Sequence, residues 1–169
     1  PWNGSEAYGP FLSENESWSK YLYPKPDQDV EVVLSYNARP VDYEIDDLRL
    51  ILHTSDGKFA VDDSIGNSGY SQMYYSSVVN PLSLNSTNET TVMVRIPASQ
   101  LEDVDWLRLE VVANVVHEGS NVGMLGLNGT KLGFGLVATG VAEFSPNSAP
   151  TVSVIKGPLG GENYSENIS

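Results

Sequence analysis

Asn3-Gly-Ser, Asn15-Glu-Ser, Asn85-Ser-Thr, Asn88-Glu-Thr, Asn128-Gly-Thr, Asn163-Tyr-Ser and Asn167-Ile-Ser give this 169-residue chain seven acceptor sequences for N-linked glycan. In each, the asparagine amide would take the sugar, and the hydroxyl two residues on completes the recognition triplet. A chain of this composition is expected to hold about two such triplets by chance. The excess points to a protein that crosses a membrane and meets a glycosyltransferase, and so to an extracellular or cell-surface location.

Carboxylates supply the next chemistry. Asp42, Glu44, Asp46 and Asp47 form one cluster, Asp62 and Asp63 a second, and Glu102, Asp103 and Asp105 a third, each expected in a loop beside a strand end. Side chains from neighbouring loops can converge there on calcium, a hard cation that takes roughly six to eight oxygens. Solvated surface charge is the alternative, and no cluster has EF-hand spacing. No cofactor is required by any motif, so calcium and N-linked glycans are the candidate non-protein components.

Enzymatic chemistry has little to work with. The histidines are His53 and His117, and there is no cysteine. His117-Glu118 lacks a second histidine at metalloprotease spacing, and neither a Gly-x-Ser-x-Gly elbow nor a phosphate-binding loop occurs. An enzyme is not expected. Tyr70, Tyr74 and Tyr75 could stack on a sugar ring. In a strand, however, Tyr74 and Tyr75 point to opposite faces, so core or edge packing is the simpler use.

The surroundings of these residues narrow the partners. Nine basic against 22 acidic residues leave a net charge of -13, which repels phosphate backbones and anionic headgroups. Neither nucleic acid nor a lipid surface is expected as a partner on this ground. No stretch reaches the roughly 18 to 20 apolar residues of a membrane span, and no secretion signal opens the sequence, which therefore reads as mature or trimmed. Secreted small domains usually rely on disulfides; without cysteine, stability must come from the core, from metal or from assembly.

Alternating patterns predict the elements that position these groups. Residues 30–36, 48–54, 58–62, 90–96, 106–117 and 132–136 read as strands, with a weaker one over 70–79, and Val141–Phe144 either continues the preceding strand or forms another beyond Gly140. Ser55-Asp56-Gly57-Lys58 predicts a tight turn, and Ser99-x-x-Glu102 a capping box on one helical turn. The pattern predicts an all-β fold, a β-sandwich of immunoglobulin-like or jelly-roll type with extended termini. Residues 1–28 are expected to form an extended N-terminal segment, 29–144 the sandwich core, and 145–169 a linker, short strand and tail.

The termini suggest how copies meet. Trp18, Tyr21, Leu22 and Tyr23 lie in a strand-like leader ahead of a proline-bearing linker, and an apolar segment of this kind must dock on its own domain or on a neighbour. Gly133 and Gly135 could leave a groove for a visiting strand, or mark a bulge or bend. Size, sequon density, absent cysteine, acidic loops and the Ser17–Tyr23 leader together resemble secreted β-sandwich subunits of archaeal surface filaments that join by donating a strand, of the thread, bundling-pilus and cannula types. The resemblance implies a homopolymer assembled head to tail, coated with glycan and, in the cannula-like case, holding calcium at its contacts. The expected function is thus a structural subunit for adhesion, bundling or cell connection. The alternative is a calcium-dependent carbohydrate-binding, adhesin or surface-layer domain, with surface glycans as partners.

Overall fold

The structure, a computed structural model, describes residues 14–38, 45–116 and 132–142. These form two antiparallel sheets packed face to face, the β-sandwich that the alternating sequence predicts. The strands are β1 (Ser17–Pro24), β2 (Val30–Tyr36), β3 (Asp47–Thr54), β4 (Lys58–Val61), β5 (Tyr74–Tyr75), β6 (Thr91–Ile96), β7 (Leu107–Val115), β8 (Phe134–Thr139) and β9 (Val141–Ala142). The larger sheet has the order β5-β4-β3-β7-β1-β9, and the smaller β6-β2-β8.

Period-two alternation explains the core. Val30, Val32, Leu34 and Tyr36 of β2 point inward with Val92, Val94 and Ile96 of β6 and Phe134, Leu136 and Ala138 of β8. They meet Leu48, Leu50 and Leu52 of β3, Leu107, Leu109 and Val111 of β7, and Leu22 of β1. Burying each large aliphatic side chain is worth about 1.5–3 kcal/mol, so this layer is the main source of stability in a chain without disulfides. β3 is buried on both faces. Its outward Ile51 packs with Phe59, Val61 and Val112 under Tyr74, Val79 and Leu84, so the polar stretch after β5 folds back as a lid on the outer face.

Two expectations change here. The weak strand over 70–79 shrinks to Tyr74–Tyr75, because Tyr70 leaves the sheet to donate a hydrogen bond to Asp29 Oδ2 (2.8 Å) and to lie under the Arg95 guanidinium. The expected capping box is absent. Ala98–Gln100 is a 3-10 turn entered from Pro97, with no side-chain cap, so Ser99 lies inside the turn and not at its start.

The boundary expected at Asp29 also moves. β1 belongs to the sandwich: it pairs along β7 from Ser17↔Val112 to Leu22↔Leu107, and Leu22 is fully buried. Pro24 closes the strand and does not open a linker outside it, since its missing N–H is tolerated at a strand end. No helix among the described residues is long and apolar enough to cross a membrane.

Strand directions give the sandwich two unlike ends. Leu22↔Leu107, Thr54↔Leu107, Val30↔Ile96 and Glu31↔Thr139 share one end, where Lys25–Asp29, the Thr54–Lys58 turn, the Pro97–Trp106 segment and Gly140 gather. We term it the hinge pole. Ser17↔Val112, Asp47↔Val115, Ser35↔Thr91 and Tyr36↔Phe134 share the other. Asn15 lies there, with its N–H on the Ala113 carbonyl, as does the loop of Asn85 and Asn88. This is the sequon pole.

Candidate strand-exchange site

The six-stranded sheet has a slot between β7 and β9, and β1 fills it. β1 alternates as a half-buried strand should. Trp18 and Leu22 turn inward, Trp18 meeting Phe134 edge-on at 5.4 Å between ring centroids, while Ser17, Ser19, Tyr21 and Tyr23 turn outward. The four leader residues expected to mediate contact therefore split into two pairs. Trp18 and Leu22 plug the core; Tyr21 and Tyr23 are 55% and 46% exposed, with Tyr21 edge-on to Trp106 at 5.3 Å. On its other side, among the described residues, β1 pairs with β9 at Tyr23↔Ala142 and Pro24↔Val141.

β1 is joined to β2 by Lys25–Asp29, which crosses from the larger sheet to the smaller. Pro24 and Pro26 fix φ around Lys25. Asp27 has φ +57°, a left-handed conformation that aspartate and asparagine adopt more readily than other non-glycine residues and that Asn15, Asp63 and Asn88 share. Asp29 is the anchor after this link. Its Oδ1 accepts from Ala98 N (3.0 Å) and its Oδ2 from the Tyr70 hydroxyl (2.8 Å), with Arg95 Nη2 at 3.6 Å. The Ala98 amide first, and then the Tyr70 hydroxyl, hold the Asp29 carboxyl below its ordinary range. Gly140 closes the corner from β8 to β9 with φ +72°, and a Cβ there would lie 2.0 Å from the Asp29 carbonyl oxygen. Only glycine fits.

The outer edge of β6, by contrast, is sealed. Met93 N donates to Asp63 Oδ1 (3.1 Å) and Met93 O accepts from Asp63 N (3.0 Å). Arg95 repeats the arrangement with Ser71, through Oγ (2.9 Å) and N (2.7 Å), and Pro97 brings no N–H. A visiting strand finds no ladder there. At Gly135 in β8, a Cβ would meet the Ser35 carbonyl oxygen at 3.8 Å, an ordinary contact, so neither backbone nor space among the described residues demands glycine. Gly133 is half-buried just before β8.

At the sequon pole the carboxylates hold loops. Asp47, nearly fully buried, accepts from Ser86 Oγ (2.9 Å) and Asn114 Nδ2 (2.7 Å). Asp63 Oδ2 accepts from Thr87 Oγ1 (3.0 Å). Asp62 pairs with Arg49 Nε at 3.0 Å in a site where both side chains are almost wholly buried, and Arg49 Nη1 donates to the Leu84 carbonyl (2.8 Å). Burial pushes the Asp62 carboxyl up to about 6 against the pull of Arg49. Asp46 is also buried. Tyr36 ties the pole together: its hydroxyl accepts from Leu48 N (3.1 Å) and donates to Glu89 O (3.1 Å), and burial raises its pKa to about 12.

The structure thus brings Asp46, Asp47, Asp62 and Asp63 to one pole, where bonds within the chain engage Asp47, Asp62 and Asp63. Glu102, Asp103 and Asp105 stand exposed at the other. Among the described residues, no three histidine, aspartate or glutamate side chains converge as a metal would need. Asp42 and Glu44 lie outside the described residues, as do Asn3, Asn128, Asn163 and Asn167. Asn15, Asn85 and Asn88 are all exposed. Of the tyrosines considered for sugar stacking, Tyr70 serves Asp29, Tyr74 stacks on Phe59 at 5.6 Å, and Tyr75 stands at the sheet edge beside Lys58.

On the outer face between the poles, His53 Nε2 lies 2.7 Å from Glu110 Oε2, and Arg108 Nη1 is 3.2 Å from the same oxygen. The hydrogen bond from His53, more than Arg108, lowers the Glu110 pKa. Register places Arg108 between His53 and Tyr21. The roles of Arg49 and Asp29 are not among the sequence expectations, and the proline-bearing link is expected to lie outside the sandwich rather than at its corner. An arginine inside the apolar run Leu48–Leu52 was a signal for the first, since such a residue needs a buried acceptor.

No protein-family model matches the sequence, and no curated protein is detectably similar to it.

Proposed function

We propose that this chain is a structural subunit of a glycosylated extracellular assembly whose copies are joined by exchange of β1. A subunit that lacked a strand would need a donor. Here the slot is filled by the chain's own β1, so joining requires that β1 leave one copy and enter another, making the same side-chain contacts there.

One observation carries this reading: β1, the first described strand, plugs the core and is tied to β2 through only five residues, Lys25–Asp29, which include Pro26 and the left-handed Asp27. Short hinge links favour exchange of the element they tether. The sealed β6 edge directs association away from simple strand addition at that side. Exposed Asn15, Asn85 and Asn88 at one pole are where glycan would project.

The native mass of the secreted protein tests the proposal, measured with and without enzymatic removal of N-glycan. The expected result is a multiple of the glycosylated chain mass, with a drop on sugar removal. A monomer at every concentration, with no sugar mass, contradicts it.

A second reading, a carbohydrate-binding module, rests on the outward Tyr21 and Tyr23 beside Trp106 and the Arg108–Glu110–His53 array. It differs in requiring a stable monomer that binds oligosaccharide, and loss of that binding in Tyr21→Ala.

A further inference from the structure

We infer that β1 exchange is reciprocal between two copies that meet hinge pole to hinge pole, forming a closed two-fold pair with the sequon poles at its far ends. This rests on the strand-exchange reading above. Wherever β1 inserts, its register against β7 sets Pro24 at the hinge pole of the acceptor, because Leu22 pairs with Leu107 at the start of β7. β2 of the donor begins at Val30, at the donor's own hinge pole. The six Cα steps from Pro24 to Val30 span at most roughly 20 Å. The two hinge poles must therefore lie against one another.

This closeness decides between a chain and a pair. In an open chain, each copy donates to one neighbour and accepts from another, and both links run through its hinge pole. Two foreign poles would have to crowd against one. A reciprocal pair fills both slots through a single apposition, in which each surface patch faces its own equivalent. The sugar positions agree with that arrangement. Asn15, Asn85 and Asn88 all lie at the opposite pole, so bulky hydrated glycans there would not enter the contact.

Charge makes the pairing conditional. Asp27, Asp56, Glu102, Asp103 and Asp105 are exposed at the hinge pole, and Lys58 pairs with Asp56 there. Apposing two such poles sets like charges against each other across a short distance. The Debye length is about 10 Å at 0.1 M salt and about 3 Å at 1 M, so salt screens this repulsion and favours the pair.

The absence of cysteine allows a direct test. Ser19 and Glu110 are directly opposite in the β1–β7 ladder, which suits a disulfide. The Ser19→Cys/Glu110→Cys chain is refolded from denaturant at rising protein and NaCl concentration, oxidised, and run on a non-reducing denaturing gel. The expected result is a monomer band and a dimer band, with the dimer fraction rising at least threefold between about 0.1 and about 1 M NaCl and nothing larger. A ladder of trimers and higher species leaves exchange standing and overturns reciprocal pairing, as does a dimer fraction that salt does not raise. Monomer alone under every condition overturns the strand-exchange reading itself. Tyr21→Cys/Arg108→Cys, the neighbouring pair in the same ladder, gives the same readout if loss of Glu110 impairs folding.

Discussion

The two poles of this sandwich are held in different ways. At the sequon pole, Tyr36, Asp47 and Arg49–Asp62 reach from strands into loops, and each satisfies backbone or side-chain partners in a largely buried setting. At the hinge pole, Asp29 and Gly140 fix the start of β2, but the link before them is lightly tied. Lys25 N donates to Gly140 O (2.8 Å), and Asp27 turns the chain at φ +57°. Among the described residues, buried ties join strands to loops at the pole that displays Asn15, Asn85 and Asn88, and fewer ties hold the link between β1 and β2. An exchanged strand needs that asymmetry, because the slot must keep its shape while the tether opens.

Breaking the stiff pole should have the largest effect. Arg49→Leu leaves the Asp62 carboxylate buried without its counter-ion, and urea unfolding should show a loss of about 3–5 kcal/mol. A loss below about 1 kcal/mol would mean that the pair does not hold the loop. Gly140→Ala tests the fixed part of the hinge pole. A Cβ in contact with the Asp29 carbonyl at positive φ should cost roughly 2–3 kcal/mol, read in the same assay.

The tether itself responds more gently. Asp27→Val puts a β-branched residue at φ +57°, which should weaken the closed form by about 1–2 kcal/mol. An opened tether is free of that φ, so size-exclusion chromatography after refolding should show about tenfold more of the associated species relative to monomer. No change in that ratio would separate the strain from the exchange.

The waist between the poles should respond least. Glu110→Gln removes a partly exposed partner of His53 and Arg108, with an expected loss of about 1 kcal/mol or less at pH 7. Because the folded state holds the Glu110 pKa below its usual value, this contribution is present above about pH 4.5 and fades as pH falls through the lowered pKa. Stability curves of variant and parent should therefore converge in acid. Convergence at alkaline pH would contradict the assignment.

Alternation made β2, β6 and β7 legible, because each carries a two-residue period with one face in the core, and the turn at Ser55–Lys58 marked β3 and β4 as a hairpin. Arg49 and Ile51 break the simple picture since a lid covers the outer face of β3, and no local pattern announces a lid supplied by residues well downstream. β1 was visible as a strand and misplaced as an outsider. Pro24 and Pro26 read as a linker, whereas the fold uses Pro24 as the last strand residue and turns immediately after it. Within the acidic clusters, composition cannot tell a free carboxylate from one that already accepts from an amide or hydroxyl, as Asp47 and Asp63 do. Gly140 was legible as punctuation; the Asp29 carbonyl packed against it was not.

In the proposed assembly, β1 of one copy completes the sheet of another. Two single-cysteine chains, Ser19→Cys and Glu110→Cys, mixed in denaturant, refolded together and oxidised, test it most directly, since each alone lacks the partner thiol across the β1–β7 ladder. The expected product is a mixed disulfide dimer whose linked peptides contain position 19 of one chain and position 110 of the other. Absence of that species, with both chains folded and each thiol still free, would contradict it.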